Sequence, residues 1–261
     1  MKTALSVNLN KVALVRNSRE GRIPDIVQIA ALCIDAGCHG ITVHPRPDQR
    51  HVRPEDVRRL ATFLEELAVE GVEYNIEGNP FAGPEDNGYP GFLELVAEVV
   101  PDQVTLVPDA PGQLTSDHGF RLEKTDRNRL GDAIESCTAL GCRVSLFVDD
   151  DIPLEELREM AKMGVARVEL YTGPYAEAHL EGDAVRSLEG YAGAASRALQ
   201  AGLELNAGHD LNLDNLQDFL THVQGIREVS IGHALINDAL LMGYPEAIRR
   251  YLAVIDGAVE R

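Results

Sequence analysis

The sequence is poor in basic residues, in cysteine and in long apolar segments, and each shortage excludes a class of protein. It has 24 Lys and Arg residues against 42 Asp and Glu residues, which gives a net charge of −18. Nucleic acid and anionic membranes require basic surface, so we do not expect either as a general partner. Four cysteines in 261 residues are too few for the dense disulfide framework of small secreted domains.

Targeting segments are not expected either. No run of 18 apolar residues is present, so no transmembrane helix is predicted. The start of the chain lacks an apolar segment followed by a small-residue cleavage site, and we therefore predict a cytoplasmic protein without a signal peptide. Because 44% of the residues are hydrophobic and 25% are charged, a sizeable globular core is expected, as one domain over residues 1–261.

Eight short β-branched or apolar runs recur along the chain, and segments with helical periodicity separate them. Strands that alternate with helices of this length predict βαβ units, and eight of them predict a (β/α)8 TIM barrel with extra helices. A doubly wound open sheet is the alternative. Pro24 and Pro54 are predicted in the first turns of helices. The predicted strands are 4–10, 40–45, 72–78, 103–108, 143–149, 167–173, 203–209 and 228–234.

Apolar and polar residues alternate within these strands, for example Val43 followed by His44. Strands of an open parallel sheet are covered on both faces and are almost wholly apolar, whereas a barrel separates a lumen face from a helix-facing one. The predicted lumen is unusually polar, and buried polar groups are costly unless they pair. We therefore predict a functional site at the carboxyl ends of the strands, bordered by long loops at 78–91, 109–126 and 173–185.

Groups suited to proton transfer gather at this end of the predicted barrel. His44, His209 and His233 stand at or just after strand ends, and Glu77 and Glu169 point into the lumen by alternation. Histidine titrates near neutral pH, and partial burial raises a glutamate toward it, so both can exchange protons with a substrate. For a single histidine the alternative is a structural role, and for Glu77 it is an ion pair in the lumen.

The residues after His44 favour phosphate over a metal. A metal-dependent hydrolase typically has a second ligand close to such a histidine, but here Arg46 follows, which is no ligand and would repel a cation. No metal is therefore predicted. Arg46 and Arg50 offer planar donors for oxyanions, and His51 can add another; a solvated charged loop is the alternative for each arginine.

Two further segments indicate anion binding. Arg16, Arg19 and Arg22 form a second basic cluster after the first predicted strand. Gly208 and Gly232 follow the seventh and eighth strands, where barrels often bind phosphate through backbone N–H groups. Separate anion-binding places predict either two phosphorylated substrates or one bisphosphate.

The segments SVNLNKVALVRNSR, GITVHPRPDQRH, NIEGNP, LVPDAPGQLTS, LNAGHDLN and SIGHALI resemble successive signature blocks of the pyridoxine 5′-phosphate synthase family. They occur in the family's order from the first predicted strand to the last, so the resemblance covers nearly the whole chain. It implies a TIM barrel that forms a higher homo-oligomer, an octamer, and uses no cofactor. It also implies ring-closing condensation of 3-amino-2-oxopropyl phosphate with 1-deoxy-D-xylulose 5-phosphate, which yields pyridoxine 5′-phosphate, phosphate and water.

The resemblance further implies a role for individual residues. His44 and Glu77 match the family's proton acceptors, His209 matches its proton donor, and Glu169 matches a transition-state stabiliser. The other matched residues are Asn8, Arg19, Gly232 and His233 for the amino-ketone phosphate, and Arg46, His51 and Thr115 for the deoxyxylulose phosphate.

The chain also departs from the family's pattern near the site. Many members carry Asp-His where this chain has Asn10 and Lys11, and many carry Gly where it has Asp210. We predict that these three residues also contact substrate, and that the Asp210 carboxylate turns away from any phosphate at its backbone N–H. The departures leave two alternatives: a divergent barrel for another aldol or isomerase reaction of sugar phosphates, or a non-catalytic barrel that binds a phosphorylated ligand.

Overall fold

The barrel closes through parallel pairing of each strand with the next and of the last strand with the first. A computed structural model describes residues 2–259. The predicted TIM barrel is confirmed and the open sheet is excluded. The strands are β1 (Ala4–Asn8), β2 (Gly40–Val43), β3 (Glu73–Gly78), β4 (Gln103–Leu106), β5 (Arg143–Val148), β6 (Arg167–Tyr171), β7 (Glu204–Gly208) and β8 (Ile226–Ile231).

Helices surround the barrel and cover its apolar outer face. Within residues 2–259 none combines the length and apolarity that crossing a membrane requires. The helices are α1 (Asn10–Asn17), α2 (Ile26–Asp35), α3 (Pro54–Leu67), α4 (Phe92–Val99), α5 (Arg127–Ala139), α6 (Leu154–Lys162), α7 (Gly173–Glu181), α8 (Ala184–Gln200), α9 (Leu216–His222), α10 (His233–Met242) and α11 (Tyr244–Val259).

The structure corrects several details of the sequence prediction, among them the end of the eighth strand, which stops at Ile231 because His233 begins α10. Segment 173–185 is not a long loop, because Pro174 fits the first turn of α7 and residues with adequate helix propensity follow it. Pro24 precedes Asp25, the N-cap of α2, and so lies outside the helix, whereas Pro54 does begin α3. The first strand ends at Asn8 rather than at residue 10, since the Asn8 side chain accepts the N–H of Asn10 (3.0 Å) and Asn10 begins α1.

Polar side chains fill the lumen, as the alternation predicts. Ser6 Oγ and Thr42 Oγ1 lie 2.7 Å apart, and Asn75 joins Thr42 to Thr105 through bonds of 3.3 and 3.1 Å. Near the amino ends of the strands, Gln103 accepts hydrogen bonds from two arginines of β5 and β6. These layers satisfy buried polar groups and close the lumen below its carboxyl end, where the candidate site lies.

Candidate active site

A cavity of about 300 Å³ opens at the carboxyl ends of the strands, a volume at the lower end of the range for small-molecule sites. The (β/α)8 topology brings side chains from distant parts of the sequence to this one place. Of the residues assigned to catalysis or substrate contact by the family resemblance and its departures, it collects all except Arg19. The further candidates for anion binding, Arg16, Arg22, Arg50 and Gly208, do not line it. Those that line it are Asn8, Asn10, Lys11, His44, Arg46, His51, Glu77, Thr115, Glu169, His209, Asp210, Gly232 and His233.

Arg19 lies outside this cavity. It follows the end of α1, is exposed, and lines a separate surface depression with Asn17, Glu20 and Arg53. Helix α1 ends beside the cavity edge, where Asn17 contacts the His51 carbonyl, but Arg19 lies in the exposed residues beyond the helix. The predicted contact of Arg19 with substrate therefore has no support from its position and stays a prediction.

His44 lies between two buried carboxyl groups. Its Nδ1 is 3.9 Å from Glu77 Oε2, and its Nε2 is 3.6 Å from Asp109 Oδ2. Asn10 orients this histidine by accepting its backbone N–H (2.8 Å), while Asn8 donates to Glu77 Oε2 (3.3 Å). Each ring nitrogen of His44 therefore faces a carboxyl group.

Burial determines the protonation states of His44 and Glu77. It holds the pKa of His44 well below its ordinary value, and the charge of Arg46 lowers it further. Burial, together with the negative charge of Asp109, raises the pKa of Glu77 to about 8. At neutral pH His44 is therefore an uncharged proton acceptor, and Glu77 becomes a base as the pH rises.

Arg46 and His51 form a cationic and hydrogen-bonding edge of the cavity. Arg46 Nη2 lies 2.5 Å from Asp109 Oδ2. The ring Nδ1 of His51 accepts the N–H of Val52 (2.9 Å), so the neutral ring carries its proton on Nε2, where it can donate; burial and Arg46 lower its pKa to about 3. Asn17 of α1 holds this segment by donating to the His51 carbonyl (2.7 Å).

The opposite edge of the cavity is the segment after β7. His209 Nε2 lies 2.8 Å from Thr115 Oγ1, and its Nδ1 lies 2.7 Å from Asp210 Oδ2. Thr172 Oγ1 donates to the His209 carbonyl (2.5 Å), which fixes the backbone. Thr115 belongs to the long loop after β4, so this contact joins two sides of the barrel mouth.

Glu169 lies deeper in the cavity, on β6. It is 3% exposed, and its Oε2 has no hydrogen-bond partner among residues 2–259. Burial and the nearby Glu77 raise its pKa well above the ordinary value. A Cβ at Gly208 would come within 2.3 Å of Glu169 Oε1, so glycine at 208 allows this carboxyl group to occupy the lumen.

Sequence analysis missed Asp109. It is buried, joins Arg46 and the ring of His44, and accepts a hydrogen bond from Ser116 Oγ (3.0 Å). The available signal was its place directly after the predicted strand 103–108, where a polar residue reaches the barrel mouth. Alternation could not reveal it, because β4 ends at Leu106 and the chain there no longer has a strand's period.

The raised pKa of Glu77 predicts a pH-dependent gain in stability for Glu77→Gln. Its pKa is 4.5 ordinarily and about 8 in the folded protein, so the folded state binds more protons between these values, and the wild type loses stability as the pH rises through them. The variant lacks this loss. Its unfolding free energy relative to wild type should increase from pH 5 to pH 8, as measured by urea denaturation.

Exposed Glu65 offers a matched control, because Glu65→Gln should show no such trend. Glu77 and Glu169 interact, so the transition belongs to the pair rather than to one residue. A difference between Glu77→Gln and wild type that stayed constant with pH would contradict the assigned protonation.

Comparison with curated proteins shows close relatives over the full length. Pyridoxine 5′-phosphate synthase of Xanthomonas campestris pv. campestris is 57% identical over 257 residues, covering 98% of both chains. The proteins of that name from Xanthomonas axonopodis pv. citri and Xylella fastidiosa are 54% and 51% identical, covering 98% of this chain and 97% and 95% of theirs.

Solved structures with low sequence identity share the fold. Tryptophan synthase of Mycobacterium tuberculosis superposes with a TM-score of 0.63 at 14% identity, covering 97% of this chain and 93% of that one. For 3-keto-L-gulonate-6-phosphate decarboxylase of Vibrio cholerae, the values are 0.61, 13%, 98% and 98%. The model of the family described as pyridoxal phosphate biosynthesis protein PdxJ matches residues 5–257, and the chain belongs to this family.

Proposed function

We propose that this protein is a pyridoxine 5′-phosphate synthase, which condenses 3-amino-2-oxopropyl phosphate with 1-deoxy-D-xylulose 5-phosphate and releases phosphate and water. The observation that carries the proposal is the buried His44 between Glu77 and Asp109, in one cavity with the Arg46 guanidinium. The identity of 57% to the Xanthomonas campestris synthase supports the same activity.

The chemistry requires several proton transfers around one bound intermediate. An amine condenses with a ketone, water and phosphate leave, and a new C–C bond closes the ring. His44 and Glu77 are proposed to accept protons, His209 to donate one, and Glu169 to stabilise charge. Each well-placed transfer contributes about 10²–10⁴-fold, and holding both substrates in one cavity supplies the orientation term.

The amino-ketone phosphate is proposed to bind near the start of α10. Gly232 is the N-cap of this helix and His233 its first residue, and free N–H groups at a helix N-terminus favour an anion. Asn8 packs against Gly232, where a Cβ would come within 3.0 Å of the Asn8 side chain. This arrangement supports Asn8, Gly232 and His233 as ligands of one substrate.

The deoxyxylulose phosphate is proposed to bind at the Arg46 edge. Arg46 and His51 offer N–H donors there, and Thr115 adds a hydroxyl from the loop after β4. Lys11 lines the cavity and lowers the pKa of His51, which supports a role as a nearby cation. Asn10 lines the cavity and holds the His44 backbone through its Oδ1.

The two-substrate assay tests this proposal. The pure protein, treated with a chelator, is incubated with both phosphorylated substrates, and the products are identified by mass together with released phosphate. Pyridoxine 5′-phosphate should form only when both substrates are present. A folded protein that forms no product would refute the proposal, and turnover of another sugar phosphate alone would favour the divergent aldol or isomerase barrel.

Three further expectations are proposals of the same kind. A higher homo-oligomer, a cytoplasmic location and one domain over residues 1–261 follow from the family resemblance and the sequence. Light scattering at several concentrations would measure the mass of the assembly. A monomer at all concentrations would contradict the expected octamer.

A further inference from the structure

We propose that Asp210 is a positioning residue that, by accepting the Nδ1 proton of His209, directs the Nε2 of that ring into the cavity. The inference rests on the proposed function, in which His209 donates a proton. In this proposal the Asp210 carboxylate contacts His209 and not a substrate phosphate. This agrees with the expectation that the carboxylate turns away from any phosphate at its backbone N–H.

The contact between the two residues is direct. Asp210 Oδ2 lies 2.7 Å from His209 Nδ1, the distance of a charge-assisted hydrogen bond. The bond to His209 lowers the pKa of Asp210, and the nearby charge of Lys11 lowers it as well. Asp210 is therefore a carboxylate at neutral pH, and a carboxylate can only accept, so the proton lies on His209 Nδ1.

The backbone of both residues adopts a conformation that favours glycine. His209 has φ 83° and Asp210 has φ 59°, in the left-handed region that is unfavourable for residues with a Cβ. Thr172 holds the His209 carbonyl, and Asn215 Nδ2 donates to the Asp210 carbonyl (3.2 Å). A glycine at 210 would fit this backbone better, so conformational stability does not account for the aspartate side chain.

The remaining ring nitrogen is directed where a substrate would bind. His209 Nε2 lies 2.8 Å from Thr115 Oγ1 at the cavity wall. In the donating step the Nε2–H bond of the imidazolium breaks and its proton goes to a substrate hydroxyl oxygen. That oxygen leaves as water with the electron pair of its C–O bond, and the lone pair of the condensed amine nitrogen forms a C=N bond at the same carbon. The ring becomes neutral and keeps its Nδ1 proton, which stays hydrogen-bonded to Asp210.

Two substitutions separate this role from a structural one. Asp210→Asn keeps the size of the side chain and tolerates the left-handed backbone, but the introduced amide can rotate and donate to Nδ1, which favours the other tautomer. Asp210→Gly removes the side chain from a backbone that suits glycine. Asp214→Asn removes the same charge from an exposed residue four positions later and serves as the control.

The experiment measures the tautomer and the kinetics of the same proteins. The 15N chemical shifts of His209 are followed by NMR and assigned, among the eight histidines, by the signals that disappear in His209→Gln. We expect the neutral ring to be protonated on Nδ1 in the wild type and in Asp214→Asn, and to gain the Nε2-protonated form in Asp210→Asn. In both Asp210 variants kcat should fall on the order of 10–100-fold, as when partners that orient a working histidine are removed, with KM little changed and Asp210→Gly at least as heat-stable as wild type.

Each other outcome overturns the inference. An unchanged tautomer refutes the hydrogen-bond assignment, even where kcat falls. A changed tautomer with unchanged kcat refutes the functional role, and a raised KM as the main effect would assign Asp210 to substrate binding. The NMR result needs no turnover, so it distinguishes failure of this inference from failure of the proposed synthase activity.

Discussion

Replacing His44 by alanine is expected to lower kcat by about 10²–10⁴-fold, the range for a well-placed general acid or base. His44 is the uncharged ring between Glu77 and Asp109, and its removal takes away the proton acceptor without removing Arg46 or the α10 N-terminus. KM for both phosphorylated substrates should therefore change far less than kcat. Steady-state kinetics with each substrate varied in turn measure both parameters.

Two other substitutions show whether a lower kcat of His44→Ala reflects the lost proton acceptor or misfolding. His44→Asn retains a polar side chain in the buried space and should show the same loss of kcat. His222→Ala removes an exposed histidine of α9 and should leave both constants unaltered. If His44→Ala retained the wild-type kcat, His44 would not be the proton acceptor.

Replacing Arg46 by alanine is expected to affect both substrate binding and stability. The guanidinium pairs with buried Asp109, and removing one partner of a buried pair leaves an uncompensated charge that costs about 3–5 kcal/mol. Loss of the hydrogen bond to the charged phosphate should also weaken binding of the deoxyxylulose phosphate by about 1.5–3 kcal/mol. Its KM should therefore rise roughly 10–100-fold. Urea denaturation and steady-state kinetics measure the two effects separately.

The conservative variant Arg46→Lys tests the geometry of this residue. Lysine keeps the positive charge beside Asp109 but lacks the planar fork. The free energy of unfolding of Arg46→Lys should therefore lie closer to the wild-type value than its KM does. Arg58→Ala, which removes an exposed ion pair with Glu98, should cost at most about 1 kcal/mol. A folded Arg46→Ala protein with wild-type KM for both substrates would exclude Arg46 as a phosphate ligand.

The buried carboxyl groups show what strand alternation can predict and what it cannot. Alternation in single strands correctly placed Glu77 and Glu169 in the lumen, because a strand's side chains alternate with a period of two whatever the strand packs against. It could not indicate that Glu77 has a pKa of about 8. That value depends on burial and on Asp109, which follows a different strand.

The loops were harder to predict than the strands. Residues 173–185 were predicted as a loop, yet most of them form α7, because Pro174 fits a first helical turn and helix α7 packs against α8. Arg19 was assigned to the site through its sequence block, but it lies in an exposed segment after α1 and lines a separate depression. Neither the course of a helix nor the position of a residue after it follows from local pattern.

The sequence by itself determined the eight βα units, the polar lumen and most of the residues that line the cavity. These depend on periodicity and on the order of the signature blocks, which are local properties of the chain. Only the tertiary structure decided that Asp109 joins Arg46 to His44, that Asp210 turns toward His209, and that Arg19 lies elsewhere. The first depends on distances between segments that only closure of the barrel brings together, and burial there sets the charges that local sequence leaves open. The other two depend on the backbone conformation after β7 and after α1, which the local pattern does not reveal.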